Sequence, residues 1–501
     1  MQTTDRDIAE QATTSSSSLL SSRGQKNSKF LSGPIKKVAA VFRDQYDSEL
    51  NPNGIVVLGV ADNALMRGEL LKFFNTDRLH LTGPELTYGD RFFTSTRLIT
   101  ALCKLFNDTP VGLDKEKPKL IKKVTADDIV VGSGATGILD ALFTMLCNPG
   151  EGVLLSVPYY NGFDHDLTAR AEAKIVEVYT PLPEVADPSK PKEPAQPSPS
   201  FTVDTVKAYQ TSLDKAREDG TTVKALLICN PHNPTGLVYP RETIVALAKF
   251  AAKEKLHLVV DEIYARSVFH SADISDSSAT RFETILSIDV EKEAGLPRGQ
   301  VHVVTSASKD FGINGFRLGV YVNQGSEEII SAMTSVGILS QSSAPAGALW
   351  YSWLEDQDFL SWYFAENHRR MQGAYEYVTK WCRAHKIPYV PSNSGHFLLL
   401  DFQQFLKLKD GASEEKKREA EGELLGRLMD KGVFIAPGAS YHHPIPGWFR
   451  LTFSLSPVAV KEGLSRAEKV LGLKSYISTI PMPNFEESMI QLPERLAQMQ
   501  L

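Results

Sequence analysis

Between residues 128 and 322 the chain alternates short apolar runs with longer stretches of helical periodicity. The apolar runs fall at 128–132, 153–157, 174–179, 224–229, 257–260, 302–305 and 318–322. Each is close to continuously apolar rather than alternating, as a strand covered on both faces requires. Strands that alternate with helices predict an α/β domain built on a seven-stranded, mostly parallel sheet. In such a sheet ligands sit beyond the carboxyl ends of the strands, and the chain's most distinctive motifs fall there. A helical stretch over 359–384 then leads into a second, smaller α+β region that ends near residue 473.

Two kinds of segment interrupt this rhythm. Residues 1–33 are polar, with runs of Thr and Ser, and read as a disordered or loosely held tail. The stretch 181–200, PLPEVADPSKPKEPAQPSPS, holds too many prolines for helix or central strand and reads as an exposed loop insertion. The expected division is a tail (1–33), an N-terminal part of the small domain (34–85), a large domain (86–358, with the insertion at 181–200), a small C-terminal domain (359–475) and a C-terminal extension (476–501). A length of 501 residues suits two packed domains with tails.

Composition narrows the function classes. Hydrophobic residues at 42% and charged residues at 23% give a globular balance. A formal net charge of -6 supplies no global basic field, so nucleic acid is not an expected partner. No apolar run is long enough to span a bilayer, and the N-terminus lacks a secretory pattern. The Ser-rich stretch at 13–22 hints at an organelle address, but Asp5, Asp7 and Glu10 argue against it, which leaves the cytosol as the expectation. Cys103, Cys147, Cys229 and Cys382 are scattered, so neither a zinc site nor a disulfide framework is indicated. The pair His442-His443 has no acidic or Cys partner near it in sequence and reads as loop rather than metal ligand.

The densest chemistry lies in Thr305-Ser306-Ala307-Ser308-Lys309-Asp310-Phe311-Gly312-Ile313-Asn314-Gly315-Phe316-Arg317. A lone lysine is ordinarily a solvated charge. One placed just after a strand, among small hydroxyl residues and glycines, fits a tight site where burial and nearby positive charge lower its pKa, which suits Schiff-base chemistry. Arg317, eight residues on, has the donor fork for a phosphate. Gly132-Ser133-Gly134-Ala135-Thr136-Gly137 follows a strand and opens a helix, where backbone N–H groups form an anion site. Asn230-Pro231-His232-Asn233-Pro234-Thr235-Gly236 is a turn by composition, and Asp261 ends an apolar strand.

The S-x-S-K-D-F-G-x-x-G-x-R-x-G pattern resembles the cofactor-lysine motif of the class I/II aminotransferases of fold type I. It is most similar to the 1-aminocyclopropane-1-carboxylate synthase branch. NPNGIVVLGVADNAL, LTYGD, GSGATG, PYYNGFDHDL, NPHNPTG, DEIY and PGASYHHPIPGWFR follow the family's order over about residues 50–473. The resemblance implies pyridoxal 5′-phosphate as cofactor, held by Lys309 as a Schiff base. It implies that Asp261 pairs with the pyridine nitrogen, and that Tyr264 and Asn233 donate to the phenolic oxygen. Gly134, Ala135, Thr136, Ser306, Ser308 and Arg317 would cradle the phosphate, and Tyr160 would stack on the ring. Arg450 would take the substrate α-carboxylate beside Asn233, with Ala61 and Asp62 near the substrate. Tyr88, in LTYGD, would reach the cofactor phosphate of a neighbouring subunit, which implies a homodimer with shared sites.

Three departures matter for the reaction. The synthase branch has a glutamate in L-A-E-N-Q where this chain reads Val60-Ala61-Asp62-Asn63-Ala64, one methylene shorter. The arginine-rich stretch after G-F-D-R-D-L is reduced here to Asp166-Leu167-Thr168-Ala169-Arg170. Dicarboxylate aminotransferases use a second arginine after the lysine, and residues 320–350 contain none. The leading expectation is an aminotransferase acting on a small amino acid with a 2-oxo acid. A lyase on the same scaffold, cyclopropane-forming or eliminating a β- or γ-substituent, is the alternative. A non-catalytic cofactor-binding regulator is the third reading, and the presence of Lys309 speaks against it.

Overall fold

Seven segments rich in Val, Ile and Leu form the central sheet. They are β2 (Ile129–Ser133), β3 (Gly152–Val157), β4 (Lys174–Tyr179), β5 (Val223–Cys229), β6 (His257–Asp261), β7 (Val301–Ser306) and β8 (Leu318–Val322), numbered after a short β1 (Val56–Val57). Their order is β2-β8-β7-β6-β5-β3-β4. Neighbours are parallel except at β8, which runs antiparallel to both β2 and β7. This is the expected seven-stranded, mostly parallel sheet. Alternate residues go to opposite faces: Leu226, Ile228, Leu258 and Val260 enter one core cluster, and Ala225, Leu227, Cys229 and Val259 enter another. Both faces are therefore dry, which is why these strands read as continuous apolar runs.

The computed structural model describes residues 18–30, 39, 41–77, 79–91, 94–186, 188, 201–274, 279–409 and 411–485. It separates into two compact units, 1–44 and 45–501. In the first, Ser22–Phe30 is helical, where the sequence reading has a loosely held tail. The straight-chain residues Arg23, Gln25, Lys26 and Lys29 favour that conformation. Residues 1–17 lie outside the described residues, as do 187 and 189–200 of the insertion and 486–501 of the C-terminal extension. Ala186, at the start of the insertion, makes a backbone bridge to Tyr389.

In the second unit the long helix Gln357–Ala384 is capped by Asp356, whose side chain accepts from Phe359 N. It leads into a small antiparallel sheet of β9 (Phe397–Asp401), β11 (Ala436–Pro437) and β12 (Trp448–Thr452). Between them in sequence, β10 (Val433–Phe434) pairs in parallel with β1. Val56, Leu58 and Leu65 share a core cluster with Phe449, Leu451 and Leu464, whereas Met66, Leu70 and Phe73 belong to the cluster beneath the central sheet. The chain therefore crosses between cores at Leu65–Met66, and residues 59–64 are the segment leading into that crossing.

Strand direction assembles the site. The parallel strands deliver Asn230 after β5, Asp261 at the end of β6 and Ser306 at the end of β7 to one edge. Ser133 pairs with Leu318 and Ser306 with Gly319, so antiparallel β8 begins at that same edge, immediately after Arg317.

Candidate active site

Lys309 lies three residues beyond β7, in a turn closed by Gly312 N donating to Lys309 O at 3.1 Å. Its Nζ donates to the carbonyl oxygen of Ala61 at 2.5 Å, so the segment leading into the crossing lies over the amine. The residue as a whole is only partly buried. Burial and the neighbouring Arg450 charge nevertheless lower its amine to about 8, with Arg317 acting in the same sense and Asp62 and Asp261 opposing. A lysine so placed is partly neutral near physiological pH.

Asp261 is buried and accepts one backbone bond, from Ile263 N at 3.2 Å. Burial pushes its carboxyl up to about 7, against that donor and the Lys309 charge. A cationic N–H donor beside it would remove the penalty. Tyr264 is buried on the turn that follows, its ring edge-on to Phe397 at 5.5 Å and to His396 at 5.4 Å.

At the start of the helix Gly134–Leu146, Gly134 has φ +71. A Cβ there would come within 2.5 Å of the Arg317 guanidinium, so only glycine lets this arginine lie against the helix N-terminus. Ala135 is buried, while Thr136 and Arg317 keep exposed surface, and the cradle opens outward. Arg317 Nη1 donates to Asn314 O at 2.9 Å. Ser306 and Ser308 are both buried, and Ser308 N donates to Ser306 Oγ at 3.1 Å. Tyr160 is partly buried with its ring edge-on to Phe163.

Arg450, in β12, is only 3% exposed. Its Nη1 donates to Asn233 Oδ1 at 2.9 Å and its Nη2 to Gly59 O at 2.8 Å. The guanidinium lies between the rings of Tyr441 at 4.5 Å and Phe397 at 4.7 Å. Its Nε is buried with no acceptor from the protein. A buried cationic donor left open is what a carboxylate site requires.

Asp62 lies near enough to Lys309 for its charge to oppose the lowering of the amine. Its side chain accepts from Arg67 Nη2 at 2.5 Å and from Asn314 Nδ2 at 3.5 Å. Tyr88 is 77% exposed on the surface of the single chain. His442 does have acidic partners, contrary to the reading of its sequence neighbourhood. Its Nε2 lies 2.8 Å from Asp164 Oδ2 and its Nδ1 3.4 Å from Glu177 Oε1. Both carboxylates are distant in sequence, so spacing gave no sign of them.

Several participants were not singled out from sequence. Asp310, next to Lys309, accepts from Arg266 N at 3.0 Å and Ser267 Oγ at 2.7 Å, fixing the lysine turn to the loop after β6. Asp166 is buried with an unpartnered Oδ2. Burial and the like charge of Asp261 push its carboxyl up to about 7. Both stand inside quoted motifs, S-K-D-F-G and G-F-D-H-D-L, and their burial was the missing information. His396, behind Tyr264, had no motif to announce it.

Residues 56–466 match the family model for aminotransferase class I and II. The chain is 32% identical over 420 residues to the protein named probable aminotransferase aclI of Aspergillus oryzae, covering 83% of this chain and 90% of that one. It is 29% identical over 473 residues to 1-aminocyclopropane-1-carboxylate synthase-like protein 1 of Mus musculus, covering 92% and 85%. A solved Thermus thermophilus aspartate aminotransferase mutant superposes with a TM-score of 0.61 at 21% identity, covering 91% of this chain and all of that one, which speaks for the fold.

Proposed function

Since the chain belongs to the class I and II aminotransferase family, a family of pyridoxal-phosphate enzymes, we propose that it transfers the α-amino group of a small amino acid to a 2-oxo acid. The observation that carries this reading is the convergence of four separate segments: the charges of Arg450 and Asp261 both act on Lys309, and Asn233 accepts from Arg450.

The residues fit the cofactor. The helix N-terminus at Gly134, Ala135 and Thr136, with Ser306, Ser308 and Arg317, would hold its phosphate. Asp261, buried and short of donors, would hold a protonated ring nitrogen. Asn233 and Tyr264 would face the phenolic oxygen, Tyr160 the ring, and Lys309 the carbonyl carbon. When bound, pyridoxal phosphate supplies an electron sink for the bond broken at the substrate Cα.

The chain's own groups do the rest. Arg450 binds the α-carboxylate through Nε and an Nη, while Asn233 and Gly59 hold the guanidinium and Tyr441 and Phe397 restrict its tilt. That contact fixes which Cα bond faces Lys309. Lys309 Nζ, partly neutral because of its burial, receives the Cα proton. In the chain without cofactor, the carbonyl of Ala61 accepts from Nζ.

One contact favours transfer over elimination. Elimination needs an acid aimed at the leaving group, and by its place in the altered Val60-Ala61-Asp62-Asn63-Ala64 motif Asp62 is the nearest candidate. Its carboxylate is engaged as an acceptor by Arg67 and Asn314. We further read the protein as a homodimer, with Tyr88 completing the partner's site, and as cytosolic. Its four thiols are all unpaired, which suits a reducing compartment, and no helix among the described residues is long and apolar enough to cross a membrane.

The test is a panel of amino acids, each incubated with a 2-oxo acid and analysed for products. Formation of the new amino acid paired with the donor's 2-oxo acid supports the reading. Turnover of a thioether or activated homoserine substrate to ammonia and a 2-oxo acid, with no acceptor present, establishes the lyase instead.

A further inference from the structure

Behind the site lies a chain of hydrogen-bonded polar side chains. Asp310 Oδ1 accepts from Ser267 Oγ at 2.7 Å, and Ser267 Oγ lies 3.0 Å from His396 Nε2. A hydroxyl has one proton to give. Asp310 is already the acceptor of that proton, so Ser267 Oγ is an acceptor toward His396, and Nε2 carries the hydrogen. His396 is completely buried, and the positive charges of Lys309 and Arg450 both act on it. It is therefore neutral, with its lone pair on Nδ1, a buried atom with no protein donor.

The ring so oriented does something specific. It stands edge-on to Tyr264, centroids 5.4 Å apart at 85°, while the next residue, Phe397, stands edge-on to the same ring at 5.5 Å and 88°. The Tyr264 phenol is thus held by two consecutive side chains entering β9. The backbone continues the tie: Gly395 N donates to Ser267 O at 2.8 Å, and Ser267 N to Tyr264 O at 2.9 Å. Ser454 Oγ reaches Asp62 O at 2.6 Å and His396 O at 3.4 Å, linking His396 to the segment that carries the Ala61 carbonyl.

We propose that His396 is a positioning residue, which as the Nε2–H tautomer ties Ser267 and Asp310 to the Tyr264 ring and so fixes the direction in which the Tyr264 hydroxyl points. The proposal rests on the reading of Tyr264 as a donor to the cofactor's phenolic oxygen. A donor there stabilises the oxygen's anion and lowers the pH midpoint of the visible absorbance change of the bound cofactor. A misdirected phenol gives up part of that stabilisation, so the midpoint rises.

The experiment titrates the visible absorbance of the cofactor-loaded protein against pH, with the thermal midpoint recorded beside it. Tyr264→Phe should raise the absorbance midpoint by about one unit, the equivalent of one hydrogen bond. His396→Leu, similar in volume but without the N–H, should raise it by about half a unit or more. His396→Gln, whose amide can still donate to Ser267, should restore it. His396→Leu combined with Tyr264→Phe should give the Tyr264→Phe value, because the two act through one group. A folded His396→Leu with the wild-type midpoint, or a shift that adds in full to that of Tyr264→Phe, overturns the proposal and leaves only a packing role. If His396→Leu does not fold, Ser267→Ala decides: a raised midpoint supports the proposal and an unchanged one overturns it. A Tyr264→Phe protein with the wild-type midpoint overturns both this inference and the Tyr264 reading beneath it, which separates the two failures.

Discussion

Replacing Arg450 by lysine keeps the charge and removes the fork. The guanidinium now spends Nη1 on Asn233 at 2.9 Å and Nη2 on Gly59 at 2.8 Å, leaving Nε and a remaining Nη hydrogen for a carboxylate. An ammonium on a flexible stem cannot occupy these four directions together. Losing one charge-assisted hydrogen bond to the substrate removes about 1.5–3 kcal/mol. Expressed only through transition-state binding, that is roughly a ten- to 150-fold fall in kcat/KM. The Asn233 amide oxygen, 3% exposed as a residue, loses its donor as well and adds to the loss. Steady-state kinetics should be run with an α-amino acid substrate and with the corresponding amine lacking the carboxylate. The variant should lose activity on the acid and show little further loss on the amine, so that discrimination between them shrinks. An unchanged kcat/KM for the acid, or full wild-type activity on the amine, would refute the assignment of Arg450 to the carboxylate.

Lys309→Ala should retain cofactor through the phosphate cradle but lose turnover by several orders of magnitude, read by stopped assay beside cofactor content. In the apoprotein, the rate at which an amine-directed acylating reagent modifies Lys309 should rise with pH around a midpoint near 8, since burial depresses this lysine and its neutral form accumulates above that value; a midpoint near 10.5 would contradict the enclosure seen here. Asp62→Asn should leave amino transfer within a few-fold of wild type, and a large loss confined to an elimination reaction would make Asp62 the acid that the Arg67 contact argues against. Sedimentation should show a dimer, and Tyr88→Phe should weaken cofactor retention without lowering the thermal midpoint of the apoprotein; a fully active monomer would end the shared-site reading.

The sheet was legible because both of its faces are dry: Leu226 and Leu227 are each buried, on opposite sides, and the run from Ala225 to Cys229 has no polar residue to confuse the period. The pairing of Val56–Val57 with Val433–Phe434 was not legible, since two residues carry no periodicity and their partners lie nearly the whole chain away. Lys309, Asp261 and Arg450 were recognisable from motifs that are local in sequence. What encloses them is not local. The Ala61 carbonyl on Lys309, the Asn233 oxygen on Arg450 and the His396–Ser267–Asp310 tie each join segments far apart in the chain. Burial, which turns Asp261 and Asp166 into high-pKa carboxyls, is likewise a property of the packed molecule. The helix at Ser22–Phe30 was missed because its charged, exposed sequence shows no apolar stripe.

The central claim is amino transfer at a site built round Lys309, and a half-reaction tests it most directly. The cofactor-loaded protein is mixed with excess of one amino acid from the panel, with no acceptor, and 2-oxo acid and ammonia are counted against sites. Amino transfer predicts one equivalent of 2-oxo acid per site, no ammonia, and a halt that only an added 2-oxo acid relieves. Continuous release of 2-oxo acid with an equal amount of ammonia would contradict the account.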